Sequence, residues 1–158
     1  MAALCLYGEK VKYFTSEWWA SGCENESVID KYREYYLSIS SKLPDQLRSF
    51  EENHTLHDAN VTSISTDLVK NEVAINFKGW DRELNYPVNY EIYFVGVKSF
   101  NQTSLQEDSE IGDLGYWEYE ALDGDIEMRM LFASGAQFNV VFNDFRFSVS
   151  PRQLCMGG

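Results

Sequence analysis

The hydrophobic pattern changes period once, near residue 56, and that change limits what the chain can become. Before it, Val28, Ile29, Tyr32, Tyr35, Tyr36, Ile39 and Leu43 recur along one helical face, with Lys31, Arg33, Glu34 and Lys42 on the other side. After it, from Leu56 to Val149, the apolar residues mostly alternate, as in half-buried strands. Helices followed by strands, without β-α-β alternation, predict an α+β fold. The expected architecture is N-terminal helices packed on a mainly antiparallel meander sheet of about six or seven strands. A chain of 158 residues, 44% hydrophobic and 15% aromatic, can bury one core without staples. It is read as a single domain over residues 1–158, helical over about 26–53 and β over about 56–149.

Local signals sharpen this outline. Residues 11–20 fit either a short strand or a helical turn. Ser27 with Asp30 resembles a capping box and opens a helix expected over 28–42. Pro44 stops that helix and begins a second one, which buries Leu47 and Phe50 and ends near Asn53. Strands are expected at 57–66, 72–79, 89–99, 115–122, 125–133, 137–142 and 145–149, with a long polar loop between 99 and 114. Asp123-Gly124 is a type I′ turn signal. A two-residue loop there sets Ala121 opposite Ile126, Tyr119 opposite Met128 and Trp117 opposite Met130 on a core face. The other face pairs Glu120 with Glu127, Glu118 with Arg129 and Tyr116 with Leu131, and Glu120 and Glu127 are expected in solvent. A three-residue loop at Ser134-Gly135-Ala136 would place Phe132 opposite Phe138 and Met130 opposite Val140. Asn143-Asp144 fits a tight turn or a bulge.

Charge and motifs exclude several function classes. With 13 Lys and Arg against 25 Asp and Glu, the net charge is -12, which disfavours nucleic acid and anionic membrane partners. Cys5, Cys23 and Cys155 are odd in number and widely spaced, so free thiols in a reducing compartment are expected. No apolar run reaches membrane-spanning length, and Met1–Tyr7 has no basic flank or cleavage site, so a cytoplasmic protein is expected. No GxSxG, P-loop or GxGxxG is present. His54 and His57 are the only histidines, and His57-Asp58 is read as hydrogen-bonding the helix-to-sheet junction rather than binding metal. No catalytic residue, metal or cofactor is assigned.

One segment stands out by charge. Residues 101–127 hold Glu107, Asp108, Glu110, Asp113, Glu118, Glu120, Asp123, Asp125 and Glu127, and no Lys or Arg. The hairpin register sets Glu120 across from Glu127, and like charges directly opposite destabilise a sheet. These nine acids, with Tyr116 as an aromatic anchor, are therefore the expected binding face for a basic protein partner. Such a face predicts that Glu120→Lys improves folding slightly while weakening binding.

Tyr13-Phe14-Thr15-Ser16-Glu17-Trp18 near the start, and Leu56-His57-Asp58-Ala59 after a Tyr-rich helix and a Leu43-Pro44 break, carry a resemblance. With these segments, roughly residues 12–149 resemble an uncharacterised family of small bacterial proteins with this order of elements. The resemblance implies one α+β domain in a bacterial cytoplasm and brings no catalytic residue. The small, acidic, β-rich character is also similar to immunity proteins of bacterial toxin systems. The expected function is thus a binding protein of the immunity type, which occludes a basic toxin domain, such as a nuclease, through its acidic face. The alternatives are a small enzyme using His57, Asp58 or a carboxylate pair, and a non-catalytic adaptor subunit.

Overall fold

Of the two forms open to residues 11–20, a hydroxyl selects the helix. In the computed structural model, which describes residues 11–103 and 110–152, Thr15 is extended and accepts the Trp18 N–H on its side chain at 3.1 Å. That bond satisfies a first-turn donor of helix α1 (Ser16–Ala20). Helix α2 (Ser27–Ile39) begins without the expected capping box, because Ser27 is already helical. Asn25 supplies the acceptor instead, taking the Ser27 N–H at 3.2 Å and its hydroxyl at 2.5 Å. The chain tightens into a 3-10 turn over Ser40–Lys42, so regular helix ends earlier than expected. Pro44 then precedes α3 (Asp45–Asn53), which buries Leu47 and Phe50 as expected.

The strands form two antiparallel sheets of four rather than one meander of six or seven. The first contains β1 (Asn60–Asp67), β2 (Glu72–Trp80), β3 (Pro87–Val95) and β8 (Asp144–Pro151), in the order β1-β2-β3-β8. The second contains β4 (Ser99–Gln102), β5 (Leu114–Ala121), β6 (Ile126–Phe132) and β7 (Gln137–Phe142), in the order β4-β7-β6-β5. Strand β4 lies in the stretch expected to be a loop; Phe100 is its one large apolar residue, so it shows no alternation. Asn143 is neither a tight turn nor a bulge. It carries the chain from the second sheet to the first, beside the crossing at Gly96 that runs the other way. The Asn143 N–H donates to the Val95 carbonyl at 3.0 Å and ties the two crossings together.

The β5–β6 hairpin has the register read from its turn, from Tyr116 opposite Leu131 to Ala121 opposite Ile126. Tyr119, Ile126, Met128 and Met130 are buried, and Trp117 is half-buried. The β6–β7 register differs from expectation, with Met130 opposite Phe138 and Met128 opposite Val140. The loop is Ala133-Ser134-Gly135, closed by the Phe132 N–H on the Ala136 carbonyl at 2.9 Å. Gly135 has φ +91 and fills the left-handed third position that such a loop requires. Because the shift is even, the buried face is the same.

One hydrophobic cluster joins both sheets and the helices. Phe50 of α3 packs its ring against Tyr90, Phe145 and Phe147 of the first sheet. Phe94 meets Phe142 across the sheets at 5.0 Å between ring centroids. Ile39 of α2 is buried, while Tyr32 and Tyr36 are half-buried. No helix among the described residues is long and apolar enough to cross a membrane.

Candidate functional site

Strand β5 ends its sheet, so its outer backbone groups need partners from elsewhere. Helix α2 provides two. The Tyr119 N–H donates to the Tyr32 hydroxyl at 2.9 Å, and the Ala121 N–H to the Tyr35 hydroxyl at 3.1 Å. Spacing of three along the helix sets both phenols on one face. At the other end of β5, the Asp58 N–H donates to the Leu114 carbonyl at 3.0 Å, and a His57 ring nitrogen lies 3.1 Å from the Gly115 carbonyl. The His57-Asp58 pair therefore hydrogen-bonds the helix-to-sheet junction, as the sequence reading has it. Between these two closures, α2, α3 and β5 frame a cleft of about 690 Å³.

Glu51 of α3 lines this cleft. Its Oε1 accepts the Trp117 indole N–H at 2.8 Å and the Tyr119 hydroxyl at 2.7 Å. Its Oε2 accepts no hydrogen bond among the described residues. Burial pushes the Glu51 carboxyl above its usual range, and the bonds from Tyr119 and Trp117, with nearby Arg82, only partly oppose that. Burial and the Glu51 charge in turn push the Tyr36 phenol up to about 12. Aromatic walls thus surround a carboxylate whose hydrogen-bonding neighbours are both neutral.

Cations outnumber acids in the cleft lining, against the sign of the molecule. Arg33, Arg48 and Arg82 line it with Glu51 and Glu52, three of the chain's six arginines in a protein of net charge -12. Arg82 donates to the backbone carbonyls of Glu51, at 2.8 Å, and of Glu52. Arg48 pairs with exposed Asp45. Arg33 makes no ion pair among the described residues.

The expected acidic face is placed differently. Glu107 and Asp108 lie outside the described residues, as do Cys5 and Cys155. Glu110, Asp113 and Asp123 are exposed, with Asp113 accepting from Asn60. Asp125 pairs with Lys98 at 2.5 Å. Glu118 is 0% exposed, which corrects its expected place on the binding face. It accepts the backbone N–H groups of Lys12, Tyr13 and Phe14 and the Arg129 Nε at 2.9 Å. Arg129, itself 3% exposed, also reaches Glu120 at 3.0 Å and Glu127 at 2.7 Å, and Lys12 pairs with Glu120. Glu120 and Glu127 are consequently half-buried and neutralised rather than free in solvent. Burial alone would raise the Glu120 pKa, but Lys12 and Arg129 outweigh it and hold it low. Tyr116 is half-buried too, stacked on Phe14 at 5.4 Å, edge-on to Trp18 and Trp19, and 3.3 Å from the Cys23 sulfur through its hydroxyl. Its far side lines the cleft.

Glu51 and the arginine rim were not among the residues singled out by sequence. The signal for Glu51 was present: it follows Leu47 by four and Phe50 by one, which puts a charge on the buried face of α3. The rim arginines converge from separate segments and leave no local signal.

Among the described residues no three His, Cys, Asp or Glu side chains gather as a metal site needs. A family model described as Protein of unknown function (DUF4085) matches residues 6–144. No curated protein matches the chain, and no solved structure does.

Proposed function

The chain belongs to the family described as Protein of unknown function (DUF4085), and from that premise, which assigns no activity, we propose a binding protein whose working site is the cleft at Glu51. One observation carries this reading. Glu51 is a half-buried carboxylate between aromatic side chains and engages only one of its oxygens within the fold. The other oxygen is solvent-accessible and Glu51 lines the cleft, so an incoming donor can reach it without displacing a bond of the fold. A sizeable apolar pocket with a few converging polar groups and a perturbed acid is the usual form of a ligand site.

Occlusion of a basic toxin domain is the narrower form of a binding role. It would have to use Glu110, Asp113 and Asp123, the described acids of the expected face that are exposed. The like-charge argument for that face is met by Arg129 and Lys12, so the cleft supports a binding role better. An enzymatic use of His57 has less support, because its ring is engaged with the Gly115 carbonyl.

The test is a titration of isotope-labelled protein with fragment mixtures of amines, carboxylates and aminocarboxylates, read by amide and indole resonances. Binding fragments should move the Trp117 indole N–H and the amides of Tyr32 and Tyr36. Shifts confined to Glu110, Asp113 and Asp123 would return the working surface to the acidic side.

A further inference from the structure

We infer that the cleft takes a zwitterion, with a cationic group against Glu51 and an anionic group at Arg33 and Arg48 across an apolar spacer. This deepens the binding role above and rests on it. At the floor, both groups that hold Glu51 are neutral donors, an indole and a phenol, and both bind Oε1. The one cation near it, Arg82, turns Nη1 to the α3 carbonyls and makes no ion pair with the carboxylate. The fold therefore supplies hydrogen bonds to this carboxylate and the through-space charge of Arg82, but no ion pair. A neutral ligand donor would add only a hydrogen bond to Oε2; an ammonium group adds a hydrogen bond and the missing ion pair, and charge-assisted bonds are the stronger ones.

The walls favour an organic cation over a metal ion. Tyr32, Tyr36 and Trp117 line the cleft beside Glu51. Aromatic rings attract alkylammonium groups through their quadrupoles. A hard metal ion needs several oxygen ligands, and no cluster of that kind is present among the described residues.

The rim supplies the anion site. Arg33 stands on α2 between Ile29 and Leu37, four residues from each, so the three share one helical face. Leu37 is 66% exposed and Ile29 40%, which makes apolar shoulders around an arginine without an ion pair among the described residues. Arg48 is held only by exposed Asp45, a partner that an incoming carboxylate or phosphate can replace at little cost. Arg82 holds the α3 carbonyls through Nη1, so it is less free to turn to an anion than Arg33. A volume of about 690 Å³ leaves room for a spacer between the two ends.

The experiment is calorimetric titration of the full chain with a ladder of linear ω-amino acids, each measured against its parent amine and parent carboxylate. One chain length should bind about tenfold or more tighter than either parent. Glu51→Gln should abolish the advantage over the carboxylate, and Arg33→Gln the advantage over the amine. Arg33 is exposed, so its variant keeps the test open even if Glu51→Gln fails to fold. Parents that bind as tightly as every amino acid, or an advantage that survives both substitutions, overturn the inference. So does a ladder that shows no binding at any length. If fragments still move the Trp117 indole in that case, the cleft remains a binding site and only the zwitterion is lost. If they do not, the binding role fails as well.

Discussion

Among the described residues Glu51 is a carboxyl whose pKa the fold raises, and that gives it a pH signature. Its folded-state pKa lies above the unfolded value near 4.5, so the native state holds the extra proton. The stability contributed by the protonated carboxyl is fully present below about pH 4.5 and is lost as pH rises through the raised pKa. Glu51→Gln removes the titration while keeping an oxygen for Trp117 and Tyr119. At about pH 7 the variant should be more stable than the parent, and the gain should shrink toward nothing below about pH 4.5. Melting temperatures of both proteins across this range check it; a constant difference would show that the carboxyl is not desolvated. Glu120 runs the other way, because its depressed pKa contributes stability that is lost on acidification. The sequence holds 25 acids and does not rank them, so Glu51 shows only once α3 is drawn as a helix with Leu47 and Phe50 inward.

Strand β5 shows which part of an element can be read from its own residues. Period-2 geometry and the Asp123-Gly124 turn determine which side chains share a face, and the hairpin has that register. What covers a face is not written in the strand. Lys12, Tyr13 and Phe14, which close over Glu118, stand 104 to 106 residues away in sequence. A polar face that reads as solvent is thus an internal cluster around Arg129. This reverses the sign expected for Glu120→Lys. The substitution removes an acceptor from Lys12 and Arg129 and adds a third cation beside them. It should destabilise by about 1.5–3 kcal/mol, the range for hydrogen bonds to charged groups. Denaturant unfolding of parent and variant decides the sign. A stabilised variant would mean that Glu120 and Glu127 repel each other as the bare register implies.

At the scale of the whole molecule, the strands were legible and their division into two sheets was not. Alternation shows that a segment is a strand with one buried face, and β7 and β8 look alike in that respect. Sheet membership is decided at the corner where Gly96 and Asn143 pass each other and β8 turns back to pair with β3. Gly96 has φ +63, and a Cβ there would overlap the Asn143 side-chain amide. Gly124 offers a control, with φ +79 in the β5–β6 turn and open space around it. An alanine at either position meets the left-handed penalty of about 1–2 kcal/mol. Only at Gly96 must it also displace a neighbour, the amide end of exposed Asn143. Gly96→Ala should therefore be the more destabilising variant by the cost of that displacement, and adding Asn143→Ala should recover much of it. The Asn143 backbone bond to Val95 survives that change, so the recovery reports side-chain room at the corner. Equal losses for Gly96→Ala and Gly124→Ala would mean that the corner is loose, and the two sheets would then owe their separation to something other than this close passage.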